Sequence, residues 1–135
     1  MQMMRANEYL VVAPGTEHLL ERVSGELFER HTCVEALWVA EQGDQAMCRV
    51  VTDDRDGAVA AITAAGFDVS KVREVLIQSF PDEPGVLAAV SRRASAAGLN
   101  LLSAYPGARG DLILACDDLN ALQDAVLDRP TGGGI

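Results

Sequence analysis

An internal repeat constrains the fold of this 135-residue chain more than any other feature of its sequence. Residues 14–38 match residues 81–105 at one constant offset, and a slightly shorter offset continues the match beyond them. Equivalent pairs include Pro14 and Pro81, Leu20 and Leu87, Val23 and Val90, Trp38 and Tyr105, and Asp53 and Asp117. Because the predicted elements also follow the same order in both copies, the sequence predicts a duplicated supersecondary unit.

Hydrophobic periodicity predicts the order β-α-β-β-α-β in the first copy. Gly43 indicates a hairpin turn between the second and third strands, and Gly25 in the first helix predicts close helix packing. Residues 67–80 read as extended chain that should hold the last strand of the first copy and the first strand of the second. The other predicted elements are strands at 9–13, 33–40 and 46–52, a helix over 19–28 capped by Thr16, and a helix behind an Asp53 or Asp54 cap that Gly66 ends.

The second copy repeats this order but stops short. The patterns predict helices over 84–97 and 119–127 and strands at 99–105 and 111–116, with Val86, Leu87, Val90 and Ala94 buried by the first of these helices. The tail, residues 128–135, contains Pro130 and three glycines and is poor strand material. The sixth element of the second copy is therefore expected to be missing or irregular.

Composition excludes several classes of function. With 11 basic and 20 acidic residues the net charge is −9, which repels a phosphate backbone, so no nucleic-acid partner is expected. No apolar run approaches the roughly 20 residues that cross a bilayer, and the N-terminal segment lacks the apolar core of a secretory signal. We therefore expect a cytoplasmic protein without a membrane partner.

The cysteines indicate neither a disulfide framework nor a metal centre. Cys33, Cys48 and Cys116 are far apart and form no CxxC pair, and neither histidine lies near such a pair. Three small buried thiols in a reducing compartment are expected, with no metal and no cofactor.

The loop before the first helix of the second copy carries the clearest chemistry. Pro84 suits the first turn of a helix, Gly85 lets a ligand approach the backbone, and the N–H groups of Val86 and Leu87 can receive a carboxylate. Asp82 can accept hydrogen bonds from an ammonium group, and Asn100 can both donate and accept. Two plainer interpretations remain open: Asp82 also suits a simple helix cap, and Asn100 a strand end.

Two segments of the second copy resemble the ACT family of small regulatory domains. They are Val75-Leu-Ile-Gln-Ser-Phe-Pro-Asp-Glu-Pro-Gly-Val-Leu87, with its D-x-P-G-type loop, and Ala96-Ala-Gly-Leu-Asn-Leu101. The resemblance implies an α+β fold of two tandem ferredoxin-like βαββαβ units, with antiparallel four-stranded sheets, helices on one face and no clear last strand in the second unit. The units are expected at residues 1–72 and 73–135. The implied ligand-binding residues are Asp82, Glu83, Gly85, Val86, Leu87, Asn100 and Leu101.

The first copy departs from this pattern at the ligand loop. Gly15, Glu17, His18 and Cys33 stand where the second copy has Asp82, Pro84, Gly85 and Asn100. The resemblance implies a site that combines the loop of one unit with the second-strand Asn of its neighbour. A complete site is therefore expected only where second copies pair across a homodimer.

Three functions are weighed against each other. The resemblance implies a non-catalytic regulatory protein that binds a small effector, usually a free amino acid. The degenerate first copy and short second copy favour the alternative, a ligand-free interaction or assembly module. An enzyme is not expected, because no Gly-rich phosphate loop with an Arg beside it and no recognisable catalytic constellation occurs in the sequence.

Overall fold

A computed structural model describes residues 3–15, 17–79 and 85–127 of the chain. The predicted Thr16 cap, the ligand-loop residues Asp82 and Glu83, and the tail at 128–135 lie outside this range. The elements are, in chain order, β1 (Met3–Pro14), α1 (Leu19–Glu29), β2 (Ala36–Gln42), β3 (Gln45–Thr52), α2 (Arg55–Ala64), β4 (Lys71–Gln78), α3 (Val86–Ala96), β5 (Leu101–Pro106), β6 (Leu112–Cys116) and α4 (Leu119–Leu127). No described helix is long and apolar enough to span a bilayer.

The strands form one six-stranded antiparallel sheet in the order β2-β3-β1-β4-β6-β5. The first unit occupies β2-β3-β1-β4 and the second occupies β1-β4-β6-β5, so the two four-stranded sheets share their central pair. This arrangement confirms the predicted α+β class. It also explains how the second unit manages without a strand from its own tail, because β1 lies where that strand would pair.

The segment 67–80 is predicted to hold two strands, the last of the first copy and the first of the second, but the structure has one strand there, β4, which pairs with β1 on one side and β6 on the other and so belongs to both copies. The domain limits at residues 72 and 73 fall inside this strand and stay a prediction.

All four helices cover the same face of the sheet. Tyr9 and Val11 on β1 pack with α1 and α2, whereas Leu76 on β4 packs with α3 and α4. Antiparallel partners share a face, and the β1–β4 register pairs Arg5 with Leu76 and Tyr9 with Val72. Both helix pairs therefore lie on one side, as predicted.

The opposite face of the sheet, here called the helix-free face, is nonetheless buried at its centre. Ala6, Val51, Val75 and Ile113 are all less than one-tenth exposed there and form one cluster with contributions from every strand. The ends of the two edge strands approach each other, since the Ala108 N–H after β5 donates to the Glu35 carbonyl oxygen before β2 at 2.9 Å. The sheet is thus strongly curved, and this face is concave.

The predicted turns and caps agree with the structure at several points. Gly43 has a φ of 66° in the β2–β3 turn, and Asp54 caps α2 by accepting a hydrogen bond from the Gly57 N–H at 2.9 Å. Asp118, just before α4, accepts a hydrogen bond from the Ala121 N–H at 3.0 Å.

His18, in a left-handed conformation with a φ of 55°, occupies the N-cap position of α1 and makes no side-chain capping hydrogen bond. Three predictions at single residues are wrong. Leu87 is 44% exposed, because α3 turns Val90 and Ala94 to the sheet instead. Cys33 is exposed, since it precedes β2 and reaches the side chain of Arg109. A Cβ added at Gly25 would meet nothing within 4 Å, so that glycine does not mark close helix packing.

Candidate functional site

The described part of the predicted ligand loop begins at Gly85, at the start of α3. Gly85 is the N-cap and has a φ of 84°, in the left-handed region that favours glycine. The first helical hydrogen bond runs from the Ala89 N–H to the Gly85 carbonyl, so the N–H groups of Val86 and Leu87 precede the helical ladder. Val86 packs partly against the α3–α4 core, whereas Leu87 is exposed.

Asn100 and Leu101 lie at the other end of α3. Eleven helical residues separate them from Gly85, a distance of about 16 Å. The Asn100 N–H donates to Asp117 Oδ1 at 3.2 Å, and the Cys116 thiol and this N–H lower the pKa of Asp117. One chain therefore does not bring the predicted loop and Asn100 together, and a site completed by a second chain stays a prediction.

A cavity of about 420 Å³ opens beside the end of β4, where the chain leads toward α3. It lies on the helix-free face, under the loop that joins β5 to β6. Its lining residues are Met3, Met4, Glu35, Ile77, Ser79, Arg109 and Asp111. We refer to it as the β4-end cavity.

Arg109 and Glu35 form an ion pair at the rim of this cavity. Arg109 Nη1 donates to Glu35 Oε1 at 2.5 Å, and Nη2 lies 3.7 Å from Cys33 Sγ. Contacts with the Cys33 sulfur and the Glu35 carboxylate raise the pKa of Arg109. The Glu35 side chain is 9% exposed and that of Arg109 is 61% exposed, so the guanidinium faces solvent with donors to spare.

Asp111 is the buried acid of the β4-end cavity. It is 8% exposed, and its Oδ1 has no hydrogen-bond partner. A Cβ at Gly107 would lie 2.2 Å from this oxygen and 3.1 Å from the Glu35 carbonyl oxygen, so a side chain at that position would have to displace the Asp111 carboxylate. The β5–β6 loop therefore closes tightly over the acid.

Sequence reasoning missed the three charged residues of this cavity. Residues 106–110 read only as a Pro-Gly-containing loop, and Glu35 lay inside a predicted strand. One local signal indicates a tightly shaped loop: Gly107 and Gly110 stand on either side of Ala108 and Arg109. Nothing local connects that loop with Glu35, because the contact depends on the curvature of the sheet.

A second charged cluster lies deeper on the helix-free face. Glu8 is 1% exposed, its Oε1 accepts from Arg49 at 2.8 Å and Arg73 at 2.6 Å, and its Oε2 accepts from the Tyr105 hydroxyl at 2.7 Å. Burial, reinforced by the bond to Glu8, raises the pKa of Tyr105. The Arg49 guanidinium also stacks 5.4 Å from the Trp38 ring centre. Every acceptor and donor named here has a partner within the chain, which is typical of a structural network.

The first copy has a cavity at its own loop. It measures about 380 Å³ and includes Gly15, His18, Glu21 and Glu41 in its lining. Its described lining contains acidic side chains but no Arg or Lys. This agrees with a first copy that lacks the pattern of the second.

Comparison with known proteins was made at the level of sequence and of structure. No family model and no curated protein matches the sequence significantly. A crystal structure of a protein from Bacteroides thetaiotaomicron superposes with a TM-score of 0.79 at 23% identity, covering 93% of this chain and 89% of that one. The ligand-free regulatory subunit of aspartate kinase from Thermus thermophilus superposes with a TM-score of 0.61 at 17% identity, covering 92% and 95%.

The corresponding subunit from Thermus flavus gives a TM-score of 0.60 at 16% identity, with coverage of 93% and 94%. The chain has an ACT-like fold. At these identities the likeness concerns the fold alone. A shared fold assigns no site residue to this chain.

Proposed function

We propose that this chain is a non-catalytic regulatory protein that binds a small effector, a free amino acid. The observation that carries the proposal is the β4-end cavity, which brings together side chains of both charge signs at the end of the strand that precedes the predicted loop in sequence. The neighbours with a similar fold include regulatory subunits of aspartate kinase, which supports a regulatory role.

The cavity suits the size and charge of an amino acid. Its volume of about 420 Å³ is within the range of about 300–1,000 Å³ typical of small-molecule sites. A free amino acid carries a carboxylate and an ammonium group. Arg109 offers an exposed guanidinium to the first, and Glu35 and Asp111 are acidic acceptors for the second.

The predicted loop follows this cavity closely along the chain. Ser79 lines the cavity and is the last described residue before the loop that carries Asp82 and Glu83. The proposal includes these two residues and Gly85, Val86 and Leu87 from one chain, together with Asn100 and Leu101 from a second. It therefore also includes a homodimer in which second copies pair.

A thermal-shift screen against the common amino acids at about 10 mM tests this proposal. A ligand with a dissociation constant near 100 μM stabilises by about 2.7 kcal/mol at that concentration, which corresponds to roughly 8 °C for a chain of this size. The shift should fall sharply in Arg109→Gln. Arg30→Gln is the matched control, because Arg30 is also paired with a glutamate, Glu26, but lies at the end of α1 and not in the cavity lining.

A response that is equal in Arg109→Gln and Arg30→Gln would remove the β4-end cavity from the proposal. No response to any amino acid would contradict the effector hypothesis itself. That result would favour the ligand-free interaction module, for which β2 and β5 are edge strands of the described sheet, each with a neighbour on one side only.

A further inference from the structure

The β4-end cavity carries more negative than positive charge. Glu35 and Asp111 contribute two carboxylates and Arg109 one guanidinium. The ion pair with Arg109 accounts for the Glu35 carboxylate. The charge left over is therefore that of Asp111.

The buried side chain of Asp111 lowers the stability of the folded chain. A buried polar oxygen without a partner loses its hydration and receives no hydrogen bond in return. The unpartnered oxygen lies against Gly107, where an added Cβ would be 2.2 Å away, so the loop packs closely on the acid. Asp111 also lines the cavity, so a cation that enters the cavity would balance the charge of its carboxylate.

The rest of the lining defines the other parts of a ligand. Met4 and Ile77, which are register partners on the helix-free face, supply an apolar wall, and methionine side chains adapt to flexible chains. Arg109 stands at the rim, where its solvent-facing donors can receive a carboxylate without displacing Glu35.

We infer that the β4-end cavity binds a small primary amine, with its ammonium group on Asp111 and an unbranched apolar chain against Met4 and Ile77. Where the ligand is an amino acid, its carboxylate is bound by Arg109. The amino-acid part of this inference rests on the proposed function, whereas the amine part does not.

Three matched probes separate these contacts in isothermal titration calorimetry with the full chain. Norleucine has the ammonium, the carboxylate and the chain, pentylamine lacks the carboxylate, and hexanoate lacks the ammonium. Norleucine should bind most tightly, pentylamine measurably, and hexanoate most weakly, because Asp111 repels an anion that brings no ammonium.

Asp111→Asn keeps the shape of the side chain and removes its charge. We expect this variant to bind norleucine and pentylamine at least tenfold more weakly. Its affinity for hexanoate should stay as low as before or rise slightly. Asp68→Asn, at an exposed position in the α2–β4 connection, is the control and should leave all three probes unchanged.

Arg109→Gln provides an independent test at an exposed position, where misfolding is not expected. This variant should bind norleucine more weakly. It should bind pentylamine at least as tightly as the native chain does, because Glu35 without its Arg109 partner adds negative charge to the cavity. Pentylamine binding that is unchanged in Asp111→Asn, hexanoate binding as tight as pentylamine, or no binding of either amine would each overturn the inference.

The inference and the proposed function fail in different ways. If common amino acids stabilise both the native chain and Asp111→Asn equally, the regulatory proposal stands and the assignment of the amine to Asp111 is wrong. If pentylamine binds through Asp111 but no amino acid stabilises the chain, the cavity assignment stands and the amino-acid effector is wrong.

Discussion

Glu8 connects three strands of the helix-free face through a single buried carboxylate. Its partners Arg49, Arg73 and Tyr105 come from β3, β4 and β5, and Arg73 continues the network to Ser103 Oγ at 2.8 Å. Tyr105 reaches Glu8 across the two intervening strands β4 and β6, which requires the curvature of the sheet. At the scale of one residue, Glu8 thus stabilises the concave shape that frames the β4-end cavity.

Glu8→Gln should therefore lower the free energy of unfolding by about 3 kcal/mol, since it leaves two guanidinium groups around a site without a counter-charge. Glu74→Gln is the control: Glu74 also pairs with an arginine, Arg5, but its side chain is 52% exposed, and such pairs contribute roughly 0–1 kcal/mol. Urea unfolding at neutral pH measures both. Equal losses in the two variants would show that the Glu8 network contributes no more than a surface pair.

The sequence does not predict this network, although it places Trp38 and Tyr105 at equivalent positions of the repeat. Glu8 lies one residue before the strand predicted at 9–13, because a charged residue interrupts an apolar pattern. Its partners are distant in sequence, and only the sheet order brings them together. Asp111 and Glu35 were missed for the same reason.

Helices α1 and α2 each contain a glycine, and the two have opposite structural roles. At Gly25 in α1 an added Cβ would enter open space. At Gly57 in α2 it would lie 2.3 Å from Asp54 Oδ2 and 2.8 Å from Thr32 Oγ1, displacing the side chain that caps the helix. The same substitution therefore has different effects in the two elements.

Gly25→Ala should raise the free energy of unfolding by about 0.5–1 kcal/mol, because alanine has the higher helix propensity and nothing opposes it. Gly57→Ala should lower it by about 1 kcal/mol, because the lost Asp54 cap outweighs the gain in propensity. Thermal unfolding of the two variants beside the native chain measures both. A Gly57→Ala variant as stable as Gly25→Ala would show that Asp54 contributes little to α2.

Element types were predictable because they depend on local pattern. The Asp54 cap, the Gly43 turn and the helices of both copies follow from spacing alone. Ends were less predictable: β1 extends from Met3 to Pro14, well beyond 9–13, because its pairing with both β3 and β4 extends the strand past its most apolar stretch. Sheet order and curvature depend on how the elements assemble, so no local sequence pattern predicts them.

The sharing of β1 and β4 makes the whole molecule a single cooperative unit. Each unit uses both strands, so neither has a complete sheet without the other. Loss of packing under α3 and α4 should therefore also destabilise the far edge of the sheet, where Trp38 lies on β2.

Leu122→Ala in α4 tests this cooperativity. Leu122 is fully buried in the second unit, and its truncation should cost about 2–5 kcal/mol. The fluorescence of Trp38, the chain's one tryptophan, should report the full loss, with a urea transition that coincides with the transition seen by circular dichroism. Leu20→Ala, at a half-exposed position of α1, should shift neither signal appreciably. A Trp38 transition that stays at its native midpoint in Leu122→Ala would show two independent units.

The shared central pair also bears on how such a chain can change over generations. After an ordinary duplication, either copy can be lost, moved or altered while the other keeps its structure. Here β1 has β3 on one side and β4 on the other, so a substitution in that strand is selected in both halves at once. Divergence is therefore directed to the loops and helices that only one copy uses. The changed loop at Gly15, Glu17 and His18, attached to an intact β1, is the kind of asymmetry that this constraint produces.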